Sequence, residues 1–470
     1  MNPWTSPAPT RPTQEIKEFQ GTSRLDPYTI SDGQSASQRN ICSDAFPALS
    51  VRPGFSLVGG GSLAVAIQGL ANWKNTELHT VAGGNWYKVS SGLWSISLAS
   101  GLSNSASFSF ANFKGGFSDI NMIAANGVDA PRVYNGSTVT TLSGAPATGN
   151  YVISYDNRVF MVVGNLLYAS GLNLATDWTS TGTDSSPYQL SIDTLDGESV
   201  CGLAPGIGHV TIFKPNSIHE LFGSSPSDVR KEPVTFEVGA LNNQSIVSLN
   251  GTMYFIHRTG IYKYGGSYSP TRTFSQPVQA FIDEMYKPAA NRCCAGTDGR
   301  KLYFSVPSPT STLPDTTLVY DPIYDIWTVY KDFLALQYAQ SMSNFYVGLY
   351  DGRVVQWGGT TDNGTAINWE WVSKPFSGST YSQKIRWNRQ WITCDVPPGS
   401  SLYAYVSNQP TGDSDWVQIG AVTSPSGIQS ARMILAPGQA FSNFLRIKFS
   451  GTGPCKIYEW DRDQIDFPVV

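Results

Sequence analysis

Leu249-Asn-Gly-Thr-Met-Tyr-Phe-Ile-His-Arg-Thr-Gly-Ile-Tyr-Lys-Tyr264 reads as a hairpin from end to end. Asn250-Gly251 is a two-residue turn signal, because both positions of a type I′ turn need positive φ, and that turn twists in the same sense as the strands it joins. Met253 to His257 is apolar and aromatic, Thr259-Gly260 turns the chain again, and Ile261-Tyr-Lys-Tyr264 returns. The same chemistry recurs on both sides. Thr297-Asp-Gly-Arg-Lys-Leu-Tyr-Phe-Ser-Val306 followed by Thr317-Leu-Val-Tyr-Asp-Pro-Ile-Tyr-Asp-Ile-Trp-Thr-Val329 gives three more strands, and Asn135-Gly136, Asp298-Gly299 and Asp351-Gly352 are expected to be further type I′ turns.

Short apolar-aromatic runs, ending in or flanked by Gly, Asn-Gly or Asp-Gly, mark the repeat. They are Asn85-Trp-Tyr-Lys-Val89, Arg132-Val-Tyr-Asn-Gly136, Asn165-Leu-Leu-Tyr168, Ser217-Ile-His-Glu-Leu-Phe222, Gly260-Ile-Tyr-Lys-Tyr-Gly265, Leu318-Val-Tyr-Asp321 and Arg353-Val-Val-Gln-Trp357. From Trp86 to Val355, the six intervals average about 45 residues, within the roughly 40–50 of a propeller blade. Composition agrees: charged residues are 14% of the chain, whereas 45 Gly, 29 Pro, 13 Trp, 23 Tyr and 22 Phe supply turns and pleated half-buried faces. The expected fold is therefore all-β, a β-propeller of about six to seven blades over residues 51–375. A set of β-sandwiches is the alternative.

The flanks differ from the middle. Residues 1–50 are polar and Pro-rich and are expected to form an extended N-terminal arm, pinned from Arg24 onward by Leu25, Tyr28, Ile30 and Ile41. After a boundary near 374–382, longer strands are expected at 385–395, 401–408, 416–421, 432–435, 444–450 and 456–466, making a C-terminal β-sandwich over 376–470. Helix is expected only near 277–286.

A net charge of −4 gives no global positive field for gripping nucleic acid. The six cysteines, Cys42, Cys201, Cys293, Cys294, Cys394 and Cys455, lack C-x-x-C spacing and are expected to be reduced and buried. No signal-peptide pattern and no run of 18 apolar residues is present, so synthesis in a cytoplasm without membrane insertion is expected.

Chemistry-bearing patterns are sparse. His79, His209, His219 and His257 are too separated for local metal-ligand spacing and are expected to be hydrogen-bonded singly at strand ends. The Gly-rich stretches at 58–61 and 202–208 lack the Lys-Ser/Thr of a phosphate loop and read as turns. Asp156, Asp298, Asp321 and Asp325 are the carboxylates that a propeller glycosidase would use, yet each sits beside turn residues, where Asp bonds its own backbone. Asn135, Asn243, Asn250 and Asn363 head Asn-x-Ser/Thr triplets and are read as turn residues. Lys384-Ile-Arg-Trp-Asn-Arg389 alternates as a strand with one wet face, or touches a phosphate or a partner carboxylate. No catalytic, cofactor-binding or metal-binding residue is assigned, no cofactor is expected, and the chain is not expected to be an enzyme.

Arg52-Pro-Gly-Phe55 after the polar arm, the Tyr-Gly hairpins that close on Leu318-Val-Tyr-Asp321, Trp327 and Tyr350-Asp-Gly-Arg-Val-Val-Gln-Trp357, and Tyr405-Val-Ser-Asn408 with Trp416 resemble the tail nozzle, or tail hub, of short-tailed bacteriophages, also called head-completion or packaged-DNA stabilisation proteins. The turn from Asn408 to Asp415 is longer than in that family. The likeness covers about Arg24 to the end and is one of layout and turn chemistry. It implies a homohexameric ring in the virion tail, assembled in the host cytoplasm. The ring would lie below the portal-adaptor ring and contact a tail needle or tailspike proteins, passing double-stranded genomic DNA with weak, non-specific contact. Peptide- or carbohydrate-binding propeller scaffolds and propeller glycosidases are the alternatives.

Overall fold

The computed structural model describes residues 13–194, 197–266, 268–341, 343–423 and 427–467. The Pro-rich stretch 1–12 lies outside them. Two compact units share the chain: 1–54, 321–331 and 358–470 form one, and 55–320 with 332–357 form the other. The boundaries thus differ from those expected at 50 and 375, since the second unit begins at Phe55 and ends at Trp357, and 321–331 leaves it.

The larger unit is a β-propeller of seven blades. The innermost strands are Ile67–Trp73, Ser109–Phe113, Asn150–Tyr155, Gly202–Pro205, Ile246–Leu249, Cys294–Thr297 and Ala335–Gln340. Each touches the next, through the short 3-10 turn Asn243–Ser245 between blades 4 and 5, and the seventh touches the first, which closes the ring. Within a blade the strands follow one another as an antiparallel meander, as in blade 2, where Ser109–Phe113, Asn121–Ala125, Arg132–Tyr134 and Val139–Thr141 lie side by side. Blade 7 breaks chain order: its strand Val354–Trp357 pairs with Phe55–Leu57 from the start of the unit, with Trp357 opposite Phe55. Blade 5 holds three strands, and after it come the 3-10 turn Thr273–Val278 and the short helix Gln279–Glu284, where Ser275 Oγ donates to the carbonyl of Ile261 at 2.8 Å.

Second strands are buried along nearly their whole length, because both of their faces are covered, and are therefore mostly apolar. In Arg158–Val163, Val159 and Met161 enter the core shared with blade 2, whereas Phe160 and Val162 enter the core shared with blade 4. Glycines let blades meet. A Cβ on Gly69, Gly202 or Gly296 would lie 2.7, 2.5 and 2.3 Å from Phe110, Ile246 and Tyr338, the bulky side chains carried by the next blade's inner strand. Gly202 therefore belongs to a strand, not to the turn expected over 202–208.

Of the four turns expected to be type I′, only Asn250-Gly251 has two positive φ values, 51° and 78°. In the other three only the glycine is positive. The reason is side-chain bonding: Asn135 Oδ1 accepts from the N–H groups of Ser137 and Thr138, Asp298 Oδ1 from those of Arg300 and Lys301, and Asp351 Oδ1 from that of Arg353. These Asx turns keep the first residue at negative φ.

The smaller unit is a sandwich of two sheets. In one, Ile41–Cys42, Leu49–Val51, Lys456–Asp466, Ile385–Asp395 and Ile428–Ile434 lie in that order, with Thr13–Ile16 also on Lys456–Asp466 and Phe441–Ser442 on Ile385–Asp395. In the other the order is Ser35–Arg39, Asn368–Ser373, Arg446–Thr452, Ser401–Ser407 and Val417–Thr423. Ile16, Phe19, Ile41 and Leu49 share its core with Trp371, Trp387 and Trp460. The stretch expected as an extended arm, pinned from Arg24 onward, is over its described residues a source of four sandwich strands.

Candidate functional site

Propellers place ligands at the mouths and along the axis of the ring, where the inner strands converge. Here that axis holds a cavity of about 410 Å³ whose walls include Asn72, Asn112, Gln244, Gln337, Tyr338 and Gln340. A second space of about 360 Å³ adjoins it, sharing Gln244 and Gln337 and adding Gln68 and Arg292. Five of the seven blades contribute to the first cavity, and none of its lining residues is charged.

Two of its amides, Asn72 and Asn112, hold one register position, which Ser154 occupies in blade 3. Asn72, Asn112 and Ser154 are each the last residue but one of an inner strand. Asn72 Nδ2 donates to the carbonyl of Gln340 at 2.8 Å, Asn112 Nδ2 to that of Asn72 at 2.9 Å, and Ser154 Oγ to that of Asn112 at 3.0 Å. Blades 7, 1, 2 and 3 are thus joined by side chains reaching back to the preceding blade. At the next turn along, Asn243 Oδ1 accepts from the N–H of Leu203 at 3.1 Å. Sequence reading missed this site, because its residues come singly from segments up to about 270 positions apart and only strand register aligns them.

The carboxylates considered for glycosidase chemistry do not enter this wall. Asp156 sits at φ 44° in the turn between the first two strands of blade 3. Asp298 holds its turn and accepts from Tyr303 Oη at 2.8 Å. Asp321, in the sandwich unit, is buried and accepts from Ser43 Oγ at 2.6 Å and from the N–H of Ile323, and Asp325 occupies a turn at φ 56°. Of the Asn-x-Ser/Thr residues, Asn135 and Asn243 bond backbone N–H groups, and Asn250 and Asn363 sit at positive φ.

The histidines are buried, and not all lie at strand ends. His79, inside the strand Glu77–Ala82, accepts from Trp86 Nε1 and faces Glu77 at 3.3 Å. His209 lies 3.0 Å from Glu220, which also accepts from the phenol of Tyr264 on blade 5. His219 is paired with Ser217 Oγ at 3.2 Å, and His257 with Thr259 Oγ1 at 2.8 Å. Burial holds the imidazoles of His79 and His257 down to about 4, so both are neutral near pH 7. Among the described residues one carboxylate group of metal-ligand size exists, Glu15, Glu459 and Asp461, and Lys17 lies 2.6 Å from Glu15 and 3.0 Å from Glu459, supplying the cation itself. No described helix is long and apolar enough to cross a membrane.

No protein-family model matches the chain, and no curated protein matches it. Similar solved structures include a catalytically inactive virginiamycin B lyase from Staphylococcus aureus with quinupristin, at 9% identity and a TM-score of 0.46 over 65% of this chain and 98% of that one. A computationally designed protein, Ika8, is similar at 12% identity and a TM-score of 0.41 over 65% of this chain and 100% of that one. A chain of the mitotic checkpoint complex is similar at 12% identity and a TM-score of 0.40 over 65% and 94%.

Proposed function

We propose that the chain is a non-catalytic propeller building block, and specifically the nozzle or hub subunit of a short bacteriophage tail. The observation that supports a non-catalytic reading is the composition of the axial wall. General acid–base chemistry needs a titratable group within hydrogen-bond reach of a substrate, and the larger axial cavity presents amides and aromatic faces. The His and Asp side chains that could supply such chemistry are engaged in turns and blade seams instead. The finer reading rests on the resemblance described above. In it, six copies form a ring below the portal-adaptor ring, and the genome passes through the lumen between subunits, where a net charge of −4 per chain keeps phosphate contact weak.

Negative-stain microscopy of the full chain, alone and mixed with a portal-adaptor ring, tests it. Six-fold rings with a central hole, formed alone or on the adaptor, are the expected result. Absence of binding to any adaptor ring overturns the nozzle reading. Glycan hydrolysis that is lost on Asp298→Asn overturns the non-catalytic reading.

A further inference from the structure

The strand Ile385–Asp395 carries Arg386 and Arg389 outward while Ile385 and Trp387 point into the sandwich core. Its neighbour changes along its length. Ile428–Ile434 pairs with its later part, setting Ile434 opposite Arg389 and Arg432 opposite Trp391, whereas Phe441–Ser442 pairs with its start, setting Phe441 opposite Arg386. Between these partners lies a groove of about 580 Å³, walled by Arg386, Arg389, Arg432, Ile434, Phe441 and Phe467. Lys384 stands at its end, with its ammonium 6.0 Å from the Phe441 ring.

Two properties set this groove apart. First, it is apolar and open: Ile434 is 61% exposed and Phe441 51% exposed, and Phe441 and Phe467 meet edge to face at 5.2 Å. Second, its four cations, Lys384, Arg386, Arg389 and Arg432, make no ion pair with any described residue. On the neighbouring strand Lys456–Asp466, Asp461 opposes Trp391, Asp463 faces the bulge at Asn388-Arg389, and Asp466 opposes Ile385 and accepts from Gln464, but none of these forms an ion pair with the four cations. Four cations without an ion pair, gathered at one groove of a chain of net charge −4, are a local excess of positive charge. Asn388, between the two arginines, also has a buried Nδ2 without an acceptor.

We propose that this groove docks an acidic, amphipathic segment of a partner polypeptide, with carboxylates on the arginines and apolar side chains against Ile434, Phe441 and Phe467. Ile428–Ile434 ends its sheet, so an extended segment has a strand edge to lie along. A nucleic acid fits less well: a polyanion longer than the groove runs into the negative field of the remaining surface of a chain of net charge −4.

The test is fluorescence anisotropy of the full chain with a fluorescein-labelled peptide alternating Glu with Phe and Leu. The same peptide with Gln for Glu, and a single-stranded oligonucleotide, are the comparisons. The Glu peptide is expected to bind, to weaken with added salt, and to bind about tenfold more weakly to Arg386→Glu/Arg389→Glu/Arg432→Glu, as three exposed ion pairs together allow. Arg230→Glu, on the propeller, is expected to leave binding unchanged. If the triple variant melts early, Arg432→Gln is expected to weaken binding about threefold at unchanged stability. Equal binding of the Gln peptide, tighter binding of the oligonucleotide, indifference to charge reversal, or no peptide binding each overturns the proposal.

Discussion

Trp86 donates its indole N–H to Nδ1 of His79 at 3.0 Å, and neither ring is exposed. An indole can only donate, so Nδ1 carries no proton and the neutral ring keeps its hydrogen on Nε2, which faces Glu77 at 3.3 Å. Glu77 in turn accepts from Lys88 Nζ and, at 2.8 Å, from Tyr134 Oη on blade 2. One imidazole thus links the interior of blade 1 to the seam with its neighbour.

Protonating it breaks that link. Burial lowers the imidazole of His79 to about 4 from an ordinary value near 6.5, and does the same to His257, with the cations Arg258, Arg272 and Lys287 adding to it there. In the unfolded chain both bind protons once the pH falls below about 6.5, while the folded protein stays unprotonated until about 4. The stability that neutral burial represents is therefore complete above pH 6.5 and falls steadily toward pH 4. Each histidine accounts for about 3 kcal/mol of that fall. Urea unfolding across this pH range is expected to show the loss, and His79→Gln, which keeps an acceptor for Trp86, to flatten the slope.

Ring closure rests on a contact between distant parts of the propeller sequence. Phe55, 4% exposed, opposes Trp357 across the last seam of blade 7, and its ring lies 6.1 Å from that of Trp357 and 6.4 Å from that of Phe333. Phe55→Ala removes this anchor and is expected to cost about 3–5 kcal/mol. Proteolysis of the variant under native conditions is expected to start near residues 55–66. Cleavage at the wild-type rate would place the closure elsewhere.

Blades were legible because hairpins are local. The run 249–264 holds turn, strand, turn and strand within reach of one another, and its Asn250-Gly251 turn has the two positive φ values expected of it. The other three turns departed from expectation for an equally local reason, the Asx side chain competing for backbone N–H groups. What stayed hidden is long-range. Ile16 pairs with Trp460, and nothing near residue 16 encodes that partner. Asp321 reads as a turn former, and it is one for Ile323, yet its bond to Ser43 spans 278 positions. The cationic strand 384–389 was visible by alternation, but Arg432, Phe441 and Phe467 join it only through sheet register.

Blade seams tolerate no side chain where a neighbour sits over glycine. A Cβ on Gly296 would lie 2.3 Å from Tyr338 Cβ and 2.5 Å from its Cγ. Tyr338 cannot swing away cheaply, since its ring stacks on Phe345 at 5.4 Å and its hydroxyl is 2.6 Å from Ser305 Oγ. Gly296→Ala is expected to lower stability by about 1–3 kcal/mol, measured by urea unfolding. Gly164→Ala meets open space, so any cost there arises from its φ of 59° alone.

All six cysteines are free thiols, and five are buried. Burial pushes Cys201 and Cys293 up to about 12 and Cys394 up to about 11, so almost no thiolate exists at neutral pH. Titration of native protein with a thiol-disulfide reagent is expected to be slow at every site, with Cys201, the least buried, reacting first. Denaturant should release six equivalents at once.

Arg52 ties together three separate stretches of the sandwich unit. Its guanidinium is fully buried and grips Asp362 through both nitrogens, at 2.9 and 2.7 Å, while Nε donates to Asn40 Oδ1 at 2.9 Å and Nη1 to the carbonyl of Pro53. Asn40 Oδ1 also accepts from the N–H of Lys331, and Asn40 Nδ2 donates to the carbonyl of Asn368. Lysine cannot reproduce a planar fork, so Arg52→Lys leaves Asp362 and Asn40 partly unpaired and is expected to cost about 3–5 kcal/mol in urea unfolding. Replacing the pair together, Arg52→Met with Asp362→Leu, removes the buried guanidinium with its part-buried partner and is expected to recover a substantial part of that loss. Equal losses in the single and double variants would mean that Arg52 acts by filling space and not by holding Asp362.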